Sequence, residues 1–227
     1  MKESTANDPG AHDLLRAVHE ATYRFPEGFP GFGADVAFQR EALTAAGTLR
    51  VRSPREVVLA IDLDEADKTW LRREIASMVG HRWPLSYEAA DGRHALRLGP
   101  DEGHVLGRLV RHADDATSFY RVRDGQIVQA VRRMGDRRVA ITTQDHLATG
   151  DGRVLPTEYA VDYWDAATGR LTRADTYSDR YIVVANVYLP ASRRVVTADD
   201  AGMTTRRFTL ARHHLLDDRV AAGDAVP

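Results

Sequence analysis

From Gly47 to Leu215 the chain exchanges apolar for polar residues at almost every step. Phe119-Tyr120-Arg121-Val122-Arg123, Arg138-Val139-Ala140-Ile141-Thr142 and Arg206-Arg207-Phe208-Thr209-Leu210 all show the pattern. Neighbouring strand side chains point to opposite faces, so this alternation turns one face to a core and the other to water. It predicts a large, curved, antiparallel sheet. Strands are expected over 32–38, 48–52 and 56–61, the last an apolar run that reads as covered on both faces. Beyond Trp83-Pro84 they are expected over about 93–98, 103–112, 117–124, 126–134, 137–145, 157–165, 169–177, 181–189, 193–198 and 203–214. Asp124-Gly125 signals a tight hairpin, and residues 134–136, 150–152 and 166–169 signal longer turns.

Two helices interrupt the strands. Asp8 is a good cap and Pro9 a good first helical residue, and Ala11, Leu14, Leu15, Val18, Ala21 and Thr22 follow at helical spacing. The segment from Phe25 to Gly31 holds two prolines and two glycines and ends that helix near Tyr23 or Arg24. A second helix opens at Asp62 or Asp64, with Leu71, Ile75, Met78 and Val79 as its buried stripe and Gly80 at its end. With no repeat, linker or clear boundary, the chain reads as one α+β unit: a strongly twisted sheet of about ten strands with two packed helices.

Composition narrows the function. The 31 basic and 33 acidic residues leave a formal charge of -2, without the basic field of a nucleic-acid binder. The absence of cysteine excludes disulfides, thiolate metal sites and a thiol nucleophile. No segment approaches the roughly 20 apolar residues of a membrane span. The polar start, Met1-Lys2-Glu3-Ser4-Thr5, has no secretory pattern, so a cytoplasmic protein is expected. There is no phosphate loop, dinucleotide fingerprint or nucleophile elbow.

Three segments together carry a resemblance. They are Ala17-Val18-His19-Glu20-Ala21-Thr22-Tyr23 with Phe29-Pro30-Gly31-Phe32-Gly33-Ala34-Asp35-Val36; Phe119-Tyr120-Arg121-Val122 with the run from Ile127 to Gly135; and Leu155-Pro156-Thr157-Glu158-Tyr159 through Tyr163-Trp164-Asp165 to Gly169. From about residue 12 to 212 the chain resembles an uncharacterised bacterial and plastid family, a domain of unknown function. That family is similar in fold to the outer-membrane lipoprotein carriers, whose curved antiparallel sheet wraps a hydrophobic cavity under a helical lid. The resemblance implies a half-open β-barrel and its cavity. Lipoprotein trafficking is not implied, since no secretory signal is visible. The expected organisation is a disordered tail at 1–8, a single half-barrel domain at 9–216 and a flexible C-terminal tail at 217–227.

Several residues invite chemistry, and each has a plainer structural reading. Tyr159, Val161 and Tyr163 share one strand face, and the hairpin brings Leu171, Arg173 and Asp175 near it. With the tyrosines inward, an aromatic cavity with a few charges results, as small-molecule sites are built; the alternative is cross-strand packing. Phe38, Phe119, Tyr159, Tyr163, Arg173 and Asp175 are the candidate ligand-binding residues. His112, His146 and His213 each fall late in a strand, where three imidazoles would suit a transition metal ion; otherwise they are unrelated histidines. Asp145 and His146 are strand neighbours on opposite faces, so a carboxylate partner for His146 would be Glu158 or Asp175. Arginines 108, 111, 121, 123, 132, 133, 137 and 138 form a cluster able to hold an anion, or a solvated face.

The leading expectation is a protein that binds a small apolar or amphiphilic molecule in a sheet-enclosed cavity. The alternative is a histidine-ligated metal enzyme using the same cavity, its cofactor a transition metal ion. A nucleic-acid partner and a membrane span are not expected, and a homodimer is admitted.

Overall fold

The computed structural model describes residues 7–115 and 117–217. The expected tails at 1–8 and 217–227 lie outside these residues, apart from Asn7, Asp8 and Asp217.

Both helices start where their caps predict. The Asp8 carboxylate accepts from the Gly10 and Ala11 amides, and α1 (Pro9–Ala21) follows. Its residues Ala11, Leu15 and Val18, at helical spacing, are buried. Asp64 accepts from the Asp67 amide and opens α2 (Glu65–Gly80), with Glu65 and Asp67 in its first turn. This helix buries Trp70, Leu71, Ile75, Met78 and Val79.

The strands are β1 (Phe32–Arg40), β2 (Leu43–Ser53), β3 (Glu56–Ile61), β4 (Leu96–Leu98), β5 (Arg108–His112), β6 (Phe119–Arg123), β7 (Gln126–Met134), β8 (Arg137–Ala148), β9 (Val154–Asp165), β10 (Leu171–Val184), β11 (Val187–Asp199) and β12 (Gly202–Leu215). They form one open antiparallel sheet of twelve strands, ordered β3-β2-β1-β12-β11-β10-β9-β8-β7-β6-β5-β4. Except for β1 meeting β12, every neighbour is consecutive in sequence. Two sequence expectations shift. The strand expected over 181–189 is two strands and a turn, because Ala185 and Asn186 adopt φ of 47° and 65° and reverse the chain as a two-residue hairpin. The strand over 56–61 is covered on one face only: Val57, Leu59 and Ile61 are buried, while Val58 is 48% exposed.

The chain forms two compact units. The first comprises Met1–Tyr23, Leu85–Ser178 and Val195–Thr204. Here Ala11, Leu15 and Val18 of α1 pack with Tyr87, Leu96, Val110, Tyr120 and Val122. Each fully buried leucine or valine contributes roughly 1.5–3 kcal/mol. The outer edge of β4 is closed by the residues before α1: the Asp8 amide donates to the Leu96 carbonyl, and the Asn7 and Asp8 side chains accept from the Leu96 and Leu98 amides. Residues 99–107, partly expected as strand, form a loop whose Gly107 and Val105 carbonyls accept from Arg121 and Arg123.

The second unit comprises Arg24–Pro84, Asp179–Arg194 and Thr205–Pro227. Trp70 of α2 packs edge-on to Phe38 and Phe208, at ring separations of 5.9 and 6.4 Å. Phe25 stacks on Phe29 at 4.3 Å, and both rings meet Trp83. Beneath α2 lies a buried ionic network. Arg193 donates from Nε and Nη2 to Asp179 at 2.8 and 2.7 Å, and from Nη1 to Glu74 at 3.0 Å. These side chains are 1%, 0% and 4% exposed. Arg82 donates to the Met78 carbonyl and to the Tyr181 hydroxyl.

Candidate functional site

In the first unit α1 covers a sheet face supplied by Leu96, Val110, Tyr120, Val122, Ile127 and Ala130, that is, by β4 to β7. The same face continues past the helix. Ala130 pairs with Ile141, Ile141 with Val161, and Val161 with Asp175. Paired residues share a face, so this row runs from the helix-covered strands onto β8, β9 and β10. The flanking rows are Val139–Tyr163–Arg173 and Thr143–Tyr159–Tyr177. The nine residues make a patch of aliphatic and aromatic groups with one ion pair. Val139, Val161, Asp175 and Tyr177 are buried; Ile141, Thr143, Tyr159, Tyr163 and Arg173 are half-buried.

An ion pair sits within the patch. Arg173 grips Asp175 through Nε at 2.9 Å and Nη2 at 2.8 Å. The Thr197 hydroxyl donates to the same carboxylate at 2.7 Å. Asp175 is fully buried while Arg173 keeps partial contact with water. Such a fork-to-carboxylate pair holds a buried charge without leaving it uncompensated. The Tyr159 and Tyr177 rings stack at 4.7 Å, and the Arg173 guanidinium stands 5.5 Å from the Tyr163 ring centre. The arrangement offers apolar contact and one oriented cation edge.

Of the six candidate ligand-binding residues, Tyr159, Tyr163, Arg173 and Asp175 therefore come together. Phe119 lies on the other face of the unit, since its neighbour Tyr120 pairs with Ala130 under α1. Phe38 is in the core of the second unit against Trp70. Val161, already expected on the tyrosine face, and Val139, Ile141, Thr143 and Tyr177 on the neighbouring strands complete the patch; the last four were absent from the candidates. Their alternation was visible in sequence, but only the register across β8 and β10 places them beside the tyrosines.

The metal candidates are not gathered. Among the described residues no three His, Cys, Asp or Glu side chains are grouped as ligands would be. His112 ends β5 and His146 lies late in β8, three strands on. Strands an odd number of steps apart in an antiparallel sheet run opposite ways, so their late positions reach opposite ends of the sheet. His213 donates from Nε2 to the Pro190 carbonyl at 2.8 Å, and its ring stacks on Phe32. Of the two carboxylates expected to partner His146, Glu158 accepts from Ser178 and Asp175 is held by Arg173.

His112 has a different consequence. It is buried beside Tyr120 and His94, with the His94 ring 4.8 Å away and its own Nε2 without a hydrogen-bond partner among the described residues. Burial, then the charges of Arg132 and His94, hold its pKa below the ordinary histidine value. The unfolded chain takes up this proton near pH 6.5, before the folded protein does. His112 thus contributes stability that is full above that pH and is lost as pH falls below it. Urea midpoints should drop between about pH 7.5 and 5.5, and drop less in His112→Phe; an equal drop would remove His112 as the cause.

The second unit has an open hollow of ≈ 410 Å³ lined by Ala37, the candidate Phe38, Gln39, Thr44, Ala45, Ala46, Arg207 and Thr209. Its lining mixes small apolar and polar groups, and it is open, without the enclosed wall of a typical ligand pocket.

A family model described as a protein of unknown function, DUF3386, matches residues 6–216. No curated protein matches the chain. Among solved structures, it is similar to a putative outer membrane lipoprotein-sorting protein domain from Vibrio parahaemolyticus, with 9% identity, a TM-score of 0.40, and 92% of this chain and 94% of that one covered. It is also similar to a LolA superfamily protein from Nitrosomonas europaea, with 10% identity, a TM-score of 0.30, and coverage of 91% and 94%. A DUF1329 family protein from Desulfovibrio piger shares 11% identity at a TM-score of 0.33, with 95% of each chain covered.

Proposed function

We propose that this chain, which belongs to the DUF3386 family of proteins of unknown function, binds a small amphiphilic molecule on the tyrosine-bearing face of its first unit. The observation that carries the reading is that the apolar face packed under α1 on β4 to β7 runs on across β8 to β10. An acyl chain or comparable apolar body would lie along Ile141, Val161 and Val139 and between the Tyr159 and Tyr163 rings. Its burial would supply about 25 cal/mol per Å². The half-exposed edge of Arg173 would orient a polar or anionic head, because Asp175 neutralises the guanidinium without covering it. The half-barrel expected from the sequence belongs to this same reading, as the shelter such a molecule would need.

Fluorescence titration with the polyene fatty acid parinaric acid tests it. Saturable enhancement is expected, and Ile141→Asp should weaken it at least about tenfold, since a carboxylate would be forced against apolar surface. Thr142→Asp, on the opposite face of the same strand, should leave binding unchanged. No saturable binding, or equal loss in both variants, would overturn the proposal.

A further inference from the structure

We propose that the outer edge of β3, in the second unit, pairs antiparallel with the β3 edge of a second copy of this chain, so that the protein associates as a two-fold dimer. β3 and β4 are the two edges of the sheet, and they are finished differently. At β4 the Asp8 amide and the Asn7 and Asp8 side chains take up outward backbone groups. At β3 the backbone from Glu56 to Ile61 is bonded to β2, and no described residue bonds to its other side.

The direction of the backbone groups can be read from Gly47. The Ala60 carbonyl points at it from β3, and would stand 2.1 Å from a methyl group added there. The amide and carbonyl of one strand residue point the same way, and the direction alternates along an antiparallel strand. Val57, Leu59 and Ile61 therefore turn their amides and carbonyls outward, while their side chains stay buried. The devices that usually guard such an edge are missing. β3 holds no Lys or Pro, its residues 57–61 carry no charge, and their ladder with β2 is unbroken. Val58, on the face opposite to Val57 and Leu59, is 48% exposed.

The occupant follows from the charges at the strand ends. Arg55, in the turn before β3, and Asp62, just after it, are both exposed and make no ion pair among the described residues. Glu56 is already paired with Arg52, at 3.8 Å. Antiparallel pairing of two copies sets the basic start of each strand beside the acidic end of the other. With the two-fold axis at Val58, Val57 lies opposite Leu59 of the second copy, Glu56 opposite Ala60, and Arg55 next to Asp62, each twice. This register joins outward-facing residues to outward-facing residues through four backbone bonds, and the two Val58 side chains meet and leave water. An axis at Leu59 would set Glu56 directly against Asp62 and is disfavoured. With the β4 edge occupied by Asn7 and Asp8, each copy has one edge to offer, and an isologous pairing closes at two. The interface is small, so the dimer is concentration-dependent, with a dissociation constant on the order of 10 μM. It does not depend on whether the tyrosine-bearing face of the first unit holds a ligand.

Sedimentation equilibrium of the full chain tests the proposal, and a monomer–dimer equilibrium is expected. Val58→Lys should weaken the dimer at least about tenfold, because it sets two like charges face to face across the axis. Val58→Thr should leave it nearly unchanged. Asp62→Arg should weaken it roughly fivefold, and adding Arg55→Asp to the same chain should restore it. All three positions are exposed, so thermal melts of the variants should match the parent. Only monomer at about 100 μM, which would leave this edge to a strand of another protein, a dimer indifferent to Val58→Lys, or a charge swap that fails to restore Asp62→Arg would each overturn it.

Discussion

Arg193→Ala is expected to cost about 3–5 kcal/mol of stability, because it takes the buried cation away from two buried carboxylates, leaving Glu74 with the exposed Arg73. Asp179 loses a two-pronged partner and Glu74 loses its contact at 3.0 Å, all in a region almost closed to water. The attraction in such a network is largely offset by the cost of drying its charges, so its net contribution when intact is small. The loss on breaking it is large because the remaining charges stay behind. Urea denaturation of Arg193→Ala beside Arg170→Ala is the informative comparison. Arg170 pairs with Asp200 in full contact with water, and its removal should barely move the midpoint. Similar midpoints for the two variants would mean that water reaches Arg193 in solution.

Gly31→Ala is expected to be comparably damaging, at about 3 kcal/mol or more, or to yield no soluble protein. Gly31 has a φ of +91°, and a methyl group there would stand 2.1 Å from the Val51 carbonyl oxygen. Val51 pairs with Phe32, so the collision is with the backbone of the adjacent strand and no rotamer change relieves it. Gly33, two residues on, gives the contrast. A methyl group there meets the His214 ring at 2.5 Å, and that exposed side chain is free to swing into solvent. Gly33→Ala should cost far less. Thermal melts of the pair would show it, and equal losses would indicate that strand β1 is insensitive to its spacing from β2.

The helix starts were legible because Asp8 and Asp64 each act on amides two or three residues away, a local effect that a sequence displays directly. The β7 strand was legible to its ends for a similar reason: Asp124-Gly125 and Gly135 bound it with conformations few other residues adopt. The turn at Ala185-Asn186 was not, since alanine gives no warning of a positive φ. It is imposed by the pairing of the long strands on either side. The tyrosine face was half legible. Alternation put Tyr159 and Tyr163 together, but their neighbours Ile141 and Tyr177 depend on register, which residues far apart in sequence decide. The late-strand histidines show the opposite failure. Position within a strand carries no information about which end of the sheet it reaches until the strands between have been counted.

Asn7 and Asp8 occupy the place where a thirteenth strand would otherwise attach. Two residues that look dispensable ahead of the first helix thus act as a stopper against runaway addition of chains along that margin. Anyone trimming this protein to its helical start would remove the guard.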